Sequence, residues 1–480
     1  MRLRTGSTWR RLYWFYSWGD DVSVSFKKVL KYWDLFLFNV CAIVVLDTVA
    51  SSAAIGMQTF FWWFVTLFLF FIPYGLITAE LGSAWPSEGG IYVWVKEAFG
   101  EKWAVMTSWL YWVNVAIWMP SVYVLFSGTL AKVFAPDLGI WAQTLIAIVM
   151  TWVTVAAGIL ELGKSKWIPN LGAMVKAIVL LGVGAIGVYW TLTRGFANPF
   201  APQDLLPSWS VALAYLPVVV YNYMGFELAS SAGEEMVNPQ RDVPKAIIFA
   251  GAAIFLLYVI GTFGLLAILP LDKLSIVTGI IDSVIELSKI LGPAGSALTL
   301  AFGIMILYTF LANMVTWTLG ANRVLASTAS EGLLPRSLGH LHSKYLSPDY
   351  AYYLTGIIST LLLIGNAIPA ETVASMFWTL FALSSLIFLL PYLLLFPSFL
   401  KLRYKRPEVA RPYKLPGGMP LAWISAILGE IFIAMACVFF FMPPEEIKDV
   451  FLYEAELIGG TAAVLIIGYL LYIWSRRSRA

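Results

Sequence analysis

Two cysteines and two histidines among 480 residues leave little material for a disulfide framework or a metal centre. Cys41 and Cys437 both fall inside apolar segments, and His340 and His342 stand in a basic stretch without a third or fourth ligand nearby, so solvated imidazoles are expected there. Charge is scarce as well. Asp, Glu, Lys and Arg make up 12% of the chain, too little to clothe a soluble protein of this size. The net charge of +3 is no footprint for nucleic acid, and the absence of a glycine-rich phosphate loop argues against an ATP-driven pump. No nucleophile lies beside a buried base and no cofactor motif is present, so neither an enzyme nor a bound cofactor is expected. A cleavable signal peptide is not expected either, because the basic N-terminus leads through Trp9, Trp14 and Trp18 into a full-length apolar segment. Those tryptophans suit either a segment lying along a membrane surface or a partly ordered arm with ordinary interfacial aromatics.

What the chain does have is apolar length. Hydrophobic residues make up 60% of it, the mean hydropathy is +0.79, and runs of about 20 apolar residues, enough to cross a hydrocarbon core of roughly 30 Å, recur throughout. Twelve such spans are predicted, at 33–56, 59–81, 103–131, 140–161, 167–192, 209–236, 244–269, 295–326, 351–368, 372–400, 420–441 and 457–474. The expected fold class is therefore an all-α polytopic membrane protein. Lys and Arg cluster in the N-terminal arm, after span ten and in the tail, whereas the loop between spans eleven and twelve carries Glu445, Glu446, Asp449, Glu454 and Glu456. By the positive-inside rule both termini are expected in the cytoplasm, with the protein in the cytoplasmic membrane. The expected partition is a cytoplasmic arm at 1–31, a ten-helix core at 32–401, a basic cytoplasmic loop at 402–419, and two accessory helices with a short tail at 420–480. Membrane lipids are expected partners, nucleic acid is not, and monomer and homodimer are both open.

Glu227, Asp47 and Lys176 are ionisable residues deep inside these spans. In span six the stretch Tyr221-Asn-Tyr-Met-Gly-Phe-Glu227 loses helical character around a buried acid. A carboxylate at that depth must face protein, water or a ligand rather than lipid. Interrupted helices at mid-membrane are where secondary transporters hold their cargo. A helix restarting at Leu228 would turn its N-terminal amides back towards the break, the electrically positive end that suits a substrate carboxylate. Glu227 is the candidate proton carrier, against the plainer role of a buried hydrogen-bonding group. Tyr221, Gly225 and Phe226 are the span-six candidates for contact with the substrate, with Tyr221, Tyr223 and Phe226 as caps or gates.

In span one the stretch Val45-Leu-Asp-Thr-Val-Ala-Ser-Ser-Ala-Ala-Ile-Gly56 packs small and hydroxyl residues, among them the substrate-contact candidates Ala50, Ser51, Ser52 and Ala53, behind a second buried acid, Asp47; such residues permit close backbone approach and leave peptide groups free for a ligand. A second break is expected there, with Asp47 holding a substrate ammonium or pairing with another buried charge. Lys176 of span five supplies such a charge. It lies about nine residues, roughly 13 Å of helix, beyond Trp167, which is far to snorkel. Its expected partners are Asp47, or carbonyls and side chains of spans one and eight such as Asn313, Thr316 and Thr318, in the place of a bound sodium ion.

Further motifs follow in a fixed order. The end of span two, Phe71-Ile-Pro-Tyr-Gly-Leu-Ile-Thr-Ala-Glu-Leu81, runs into Pro86-Ser-Glu-Gly-Gly-Ile-Tyr-Val-Trp94 and Ala98-Phe-Gly100. Span six supplies Gly225-Phe-Glu-Leu-Ala-Ser230 and then Asn238-Pro-Gln-Arg-Asp-Val-Pro244; span eight supplies Trp317-Thr-Leu-Gly-Ala-Asn-Arg323. In this order and spacing the chain resembles the amino acid/polyamine/organocation (APC) superfamily over at least its first ten spans, and within it the glutamate/GABA antiporter branch. The resemblance implies a LeuT-like fold of two inverted five-helix repeats, about 32–192 and 209–401, with broken helices one and six around the substrate. It also implies that Glu227 matches the acid tied to proton sensing in arginine/agmatine antiporters, and that Tyr221 stands where those proteins carry a gating Trp. Lys176 matches the lysine that fills a cation site in sodium-independent members. The glycine-rich segment usual in span one is replaced by Ala50-Ser51-Ser52-Ala53-Ala54.

The expected function is alternating-access transport of a small amino acid, by exchange or proton symport without sodium. The alternative is a polyamine or other organic amine, since two buried acids with one lysine suit a cationic cargo lacking a carboxylate. A non-transporting nutrient sensor on the same fold is a further alternative.

Overall fold

With no water in the hydrocarbon region, every peptide N–H and C=O must find its partner within the protein, and a chain this apolar meets that demand with helices. The computed structural model describes Lys28 and residues 30–477 apart from 87–88, 161–165, 199–200, 208, 231–235, 346, 371 and 444–446. Trp9, Trp14 and Trp18 lie outside the described residues, as do Glu445 and Glu446. Among the described residues the only β pairing is an isolated bridge between Leu30 and Met236.

Among the described residues, eleven helical segments are long and apolar enough to cross a membrane. In chain order, span one is α1 (Tyr32–Ile43) with α2 (Val49–Ala53), and span two is α3 (Thr59–Thr66) with α4 (Ile72–Ala84). After a short α5 (Ile91–Phe99) come α6 (Glu101–Phe134), α7 (Ile140–Leu160) and α8 (Trp167–Arg194). Span six is α9 (Trp209–Tyr221) with α10 (Phe226–Ser230), pieces too short to cross singly, which completes the expected twelve. Then follow α11 (Pro239–Ile268), a connecting α12 (Gly279–Leu291), α13 (Pro293–Ser330), α14 (Asp349–Ala367), α15 (Val373–Leu389) with α16 (Tyr392–Lys405), α17 (Gly418–Phe439) and α18 (Val450–Arg477).

Spans one and six, the first of each set of five, are both interrupted, span one at the start of the stretch 45–56 rather than among its small residues. The span-one break falls at Val44 and Val45, which are extended, followed by a 3₁₀ turn at Leu46–Thr48. Ala50–Ala53 are helical in α2, so their peptide groups are not freed as expected. Two consecutive β-branched valines tolerate extended backbone well, whereas Ala and Ser sit in a helix without strain. In span six the chain is non-helical from Asn222 to Gly225 and restarts at Phe226 rather than Leu228. Gly225 has φ 127°, and a Cβ there would stand 3.1 Å from the Trp317 ring and 3.2 Å from Ile43. Only glycine meets both conditions.

A π-helical turn at Leu67–Phe71 joins α3 to α4. It rotates the register so that Phe70, Phe71 and Tyr74 are all buried. The central post is α6, which packs against α13 and α15. Near the N-terminal end of α1, Val237 donates its N–H to the Leu30 carbonyl at 3.0 Å, tying the start of span one to the chain beyond span six. Nearby, buried Glu80 at the end of α4 accepts from Arg403 and from the Leu415 amide at 2.7 Å, and forms an ion pair with Arg411 at 3.2 Å. Arg403 and Lys405, expected in a loop, lie on the last turn of α16.

Candidate functional site between the broken helices

Glu227 is 1% exposed and sits on the first turn of α10. Three tyrosine hydroxyls donate to it: Tyr111 of α6 at 2.8 Å, Tyr392 of α16 at 2.6 Å, and Tyr74 of α4. The Tyr74 oxygen in turn accepts the N–H groups of Gly225 and Phe226, each at 3.0 Å. The positive end of the restarted helix is therefore filled by a side chain. It is not the open seat for a substrate carboxylate that the sequence suggested.

The first break is closed in a similar way. Val45 donates its N–H to the Tyr258 hydroxyl at 2.9 Å, Tyr258 donates to the Ile43 carbonyl at 2.5 Å, and the Trp317 indole donates to the Ala42 carbonyl at 2.9 Å. Asn222 joins the two breaks directly, accepting from the Thr48 hydroxyl and donating to Ser52 Oγ at 2.9 Å. Ser52 thus serves the framework. Ala50 packs beside Gly279 of α12, Ala53 is fully buried, and Ser51 Oγ is buried without a hydrogen bond among the described residues.

Asp47 differs from Glu227. The Trp118 indole N–H reaches its Oδ2 at 3.2 Å, and its Oδ1 is buried with no hydrogen-bond partner among the described residues. Beside it stands an aromatic cluster drawn from four spans. Trp118 meets Trp317 edge-on with centroids 5.5 Å apart and Tyr221 at 6.1 Å; Phe388 meets Trp317 at 5.4 Å, Tyr221 at 5.6 Å and Tyr111 at 5.8 Å. Tyr221 is a wall of this cluster. Phe226 is not. It stacks on Phe71 at 5.0 Å and leans on Tyr74, because the restart at Phe226 turns its side chain towards span two.

Lys176 is 1% exposed and donates to the Cys41 carbonyl at 2.5 Å and to Asn313 Oδ1 at 2.9 Å. The span-one carbonyl and Asn313 are partners of the expected kind. Thr316 and Thr318 are not partners, since each hydroxyl donates back to its own helix, to Ala312 and Met314, both at 2.7 Å. Asp47 makes no hydrogen bond to Lys176 either, although the two charges act on one another.

Sequence reasoning missed Tyr74, Tyr111, Tyr392, Trp118, Asn222 and Tyr258. Asn222, a polar residue in the middle of an apolar span, carried a usable signal. Each of the aromatics sits in an apolar run where a packing role is the default, and only the partner across the bundle reveals its polar end.

The amino acid permease family profile matches residues 30–468. The chain belongs to this family. It is a multi-pass membrane transporter with a small-molecule substrate. The transporter is 33% identical over 448 residues to a probable agmatine/putrescine antiporter of Lactococcus lactis, covering 93% of this chain and 95% of that protein. It is 23% identical over 468 residues to a glutamate/gamma-aminobutyrate antiporter of the same species, covering 93% and 90% respectively. Among solved structures it resembles MhsT, determined in complex with L-phenylalanine, with a TM-score of 0.62 at 14% identity over 85% of this chain and 97% of that one. That likeness shows the fold, the LeuT-like arrangement of two five-helix repeats with broken first and sixth spans.

Proposed function

We propose that the transporter exchanges small organic amines across the cytoplasmic membrane, with both termini in the cytoplasm and without sodium. One observation carries the proposal: Asp47 Oδ1, a carboxylate oxygen at the breaks without a hydrogen-bond partner among the described residues, is set against an aromatic cluster, while the Gly225, Phe226 and Val45 amides are taken by Tyr74 and Tyr258. Aromatic faces and a carboxylate together favour a cation. A zwitterionic amino acid would bring a carboxylate that finds the Gly225, Phe226 and Val45 amides already taken. The agmatine/putrescine antiporter at 33% identity supports the same choice over the amino acid preferred from sequence.

Lys176 delivers a fixed positive charge between spans one, five and eight, where its ammonium donates to a carbonyl and an amide oxygen much as a metal ion would be ligated by them. A sodium ion is then not required to hold α1 in place. Glu227 is the proposed proton-linked element. Its three donors fill acceptor positions on the carboxylate, and a proton arriving there would displace one tyrosine and so loosen the contact between α10 and its neighbours.

Counterflow in reconstituted vesicles tests the substrate. A four-carbon diamine inside should accelerate uptake of the labelled amine from outside, with and without sodium. Exchange of α-amino acids that amines fail to compete with would overturn the proposal. Tight binding of amines without any counterflow would favour the sensor instead.

A further inference from the structure

Basic residues are scarce on one side of the bundle. In the orientation proposed above, the outer helix ends and loops carry five, Lys132, Arg194, Lys273, Lys289 and Lys448, as the positive-inside rule requires. Four of them nevertheless line one cavity. It has a volume of about 600 Å³ and lies between the outer ends of spans three, five and seven and the connecting helix α12. Lys132 comes from the end of α6, Arg194 from the last turn of α8, Lys273 from the turn after α11, and Lys289 from α12.

Two acids line the same cavity, and both are already paired. Asp282 forms an ion pair with Lys132 at 3.1 Å and accepts from the Thr278 hydroxyl at 2.6 Å; Glu286 pairs with Lys289 one turn along α12 at 2.5 Å. Arg194 and Lys273 have no carboxylate partner among the described residues. The Arg194 guanidinium rests over the Trp190 ring, 5.5 Å from its centroid, a contact that satisfies none of its N–H donors. The backbone below has been cleared of competing negative ends. Asn198 donates to the carbonyls of Leu266 at 2.6 Å and Leu269 at 2.8 Å and accepts the Leu271 N–H at 2.9 Å, while Ala197 donates to the Ala267 carbonyl at 3.0 Å. The last carbonyls of α11, which would repel an anion, are thereby covered, and the cavity floor is fixed.

We propose that this cavity binds a phosphate group, that of an anionic phospholipid headgroup in the outer leaflet, with Arg194 and Lys273 meeting the phosphate oxygens and Lys132 and Lys289 adding to the field. The site does not depend on the cargo proposed above. Its cations exceed its acids by two, and a guanidinium with unused donors matches the oxygens of a phosphate in a fork. The volume falls within the roughly 300–1,000 Å³ of cavities that take a whole small molecule, so it suits a headgroup better than a bare ion. Tyr189 and Leu192 are exposed on the last turns of α8, so the membrane-facing surface of that helix leads up to Trp190 and Arg194.

The test is a titration of the purified full-length protein in neutral detergent with phosphatidylglycerol, read as the thermal midpoint, with phosphatidylcholine and inorganic phosphate in parallel arms. Phosphatidylglycerol should raise the midpoint saturably and phosphatidylcholine should not. Arg194→Gln combined with Lys273→Gln should raise the half-saturating concentration by about tenfold or more, and Arg194→Lys, which keeps the charge but loses the fork, should raise it by less. Both side chains are exposed, so the double variant should keep the wild-type midpoint when no anionic lipid is added. Arg476→Gln combined with Arg477→Gln, in the tail, should leave the titration unchanged. An equal rise with inorganic phosphate, lost in the same double variant, would uphold the phosphate site and overturn the lipid as its source. A half-saturating concentration that the Arg194 and Lys273 changes leave unaltered, or that the tail pair alters as much, would overturn the site itself.

Discussion

The two buried acids at the helix breaks are nearly equal in burial and opposite in saturation. Glu227 receives three hydroxyl donors from three other spans; Asp47 receives one indole N–H and keeps an oxygen without a hydrogen-bond partner among the described residues. A buried carboxylate surrounded by donors has its charge dispersed by the protein and has little left to offer a ligand. One with an unmatched oxygen is unfinished, and an approaching cation completes it. Depth in the membrane therefore marks both residues as special, but the hydrogen-bond inventory assigns them different work.

This contrast can be broken most severely at Asp47. Asp47→Asn keeps the Trp118 contact but removes the charge, and amine counterflow should fall on the order of a hundredfold. A loss of only a few-fold would mean that the cation is held elsewhere. Next comes Tyr74, whose hydroxyl serves Glu227 and two amides at once. Tyr74→Phe should lower stability by about 2 kcal/mol, because three buried polar groups lose their partner, and the thermal midpoint in detergent should drop accordingly. An unchanged midpoint would show that the tyrosines around Glu227 are replaceable by water.

Lys176→Ala removes the ammonium from Cys41 and Asn313 and its field from Asp47. Net uptake should fall about tenfold while one-for-one exchange falls less, and equal losses in the two assays would assign Lys176 a purely structural place. The smallest change at a single pH is expected at Glu227. Glu227→Gln retains an amide oxygen for the tyrosines, so the protein should stay folded and the rate near neutrality should alter by about twofold, but the pH dependence of transport should flatten. A pH profile that keeps its wild-type shape would take the proton-linked role away from this residue.

Much of the contrast was half visible in the chain. The acids at positions 47 and 227, the lysine at 176 and its partner Asn313 all stood out, because an ionisable or amide group inside an apolar run is rare and costly. The break in span six was legible from Gly225 among polar and aromatic neighbours. The break in span one falls at the start of the stretch 45–56 that was expected to hold it, at Val44, Val45 and the turn through Asp47, and not among Ala50–Ala53, a run that is content in a helix. Thr316 looked like a ligand in one dimension and proved to be bonded to its own helix.

Sequence alone determined that the chain spans a membrane, how many times it does so, and which few polar groups are carried into the apolar layer, because these follow from local composition and from the cost of burying charge. Only the tertiary structure decided that Tyr74 closes the amide end of span six, that Glu227 is saturated, and that Asp47 keeps an oxygen without a partner among the described residues. Whether a polar atom is free depends on donors arriving from residues more than a hundred positions away, and that pairing is set by how the helices pack.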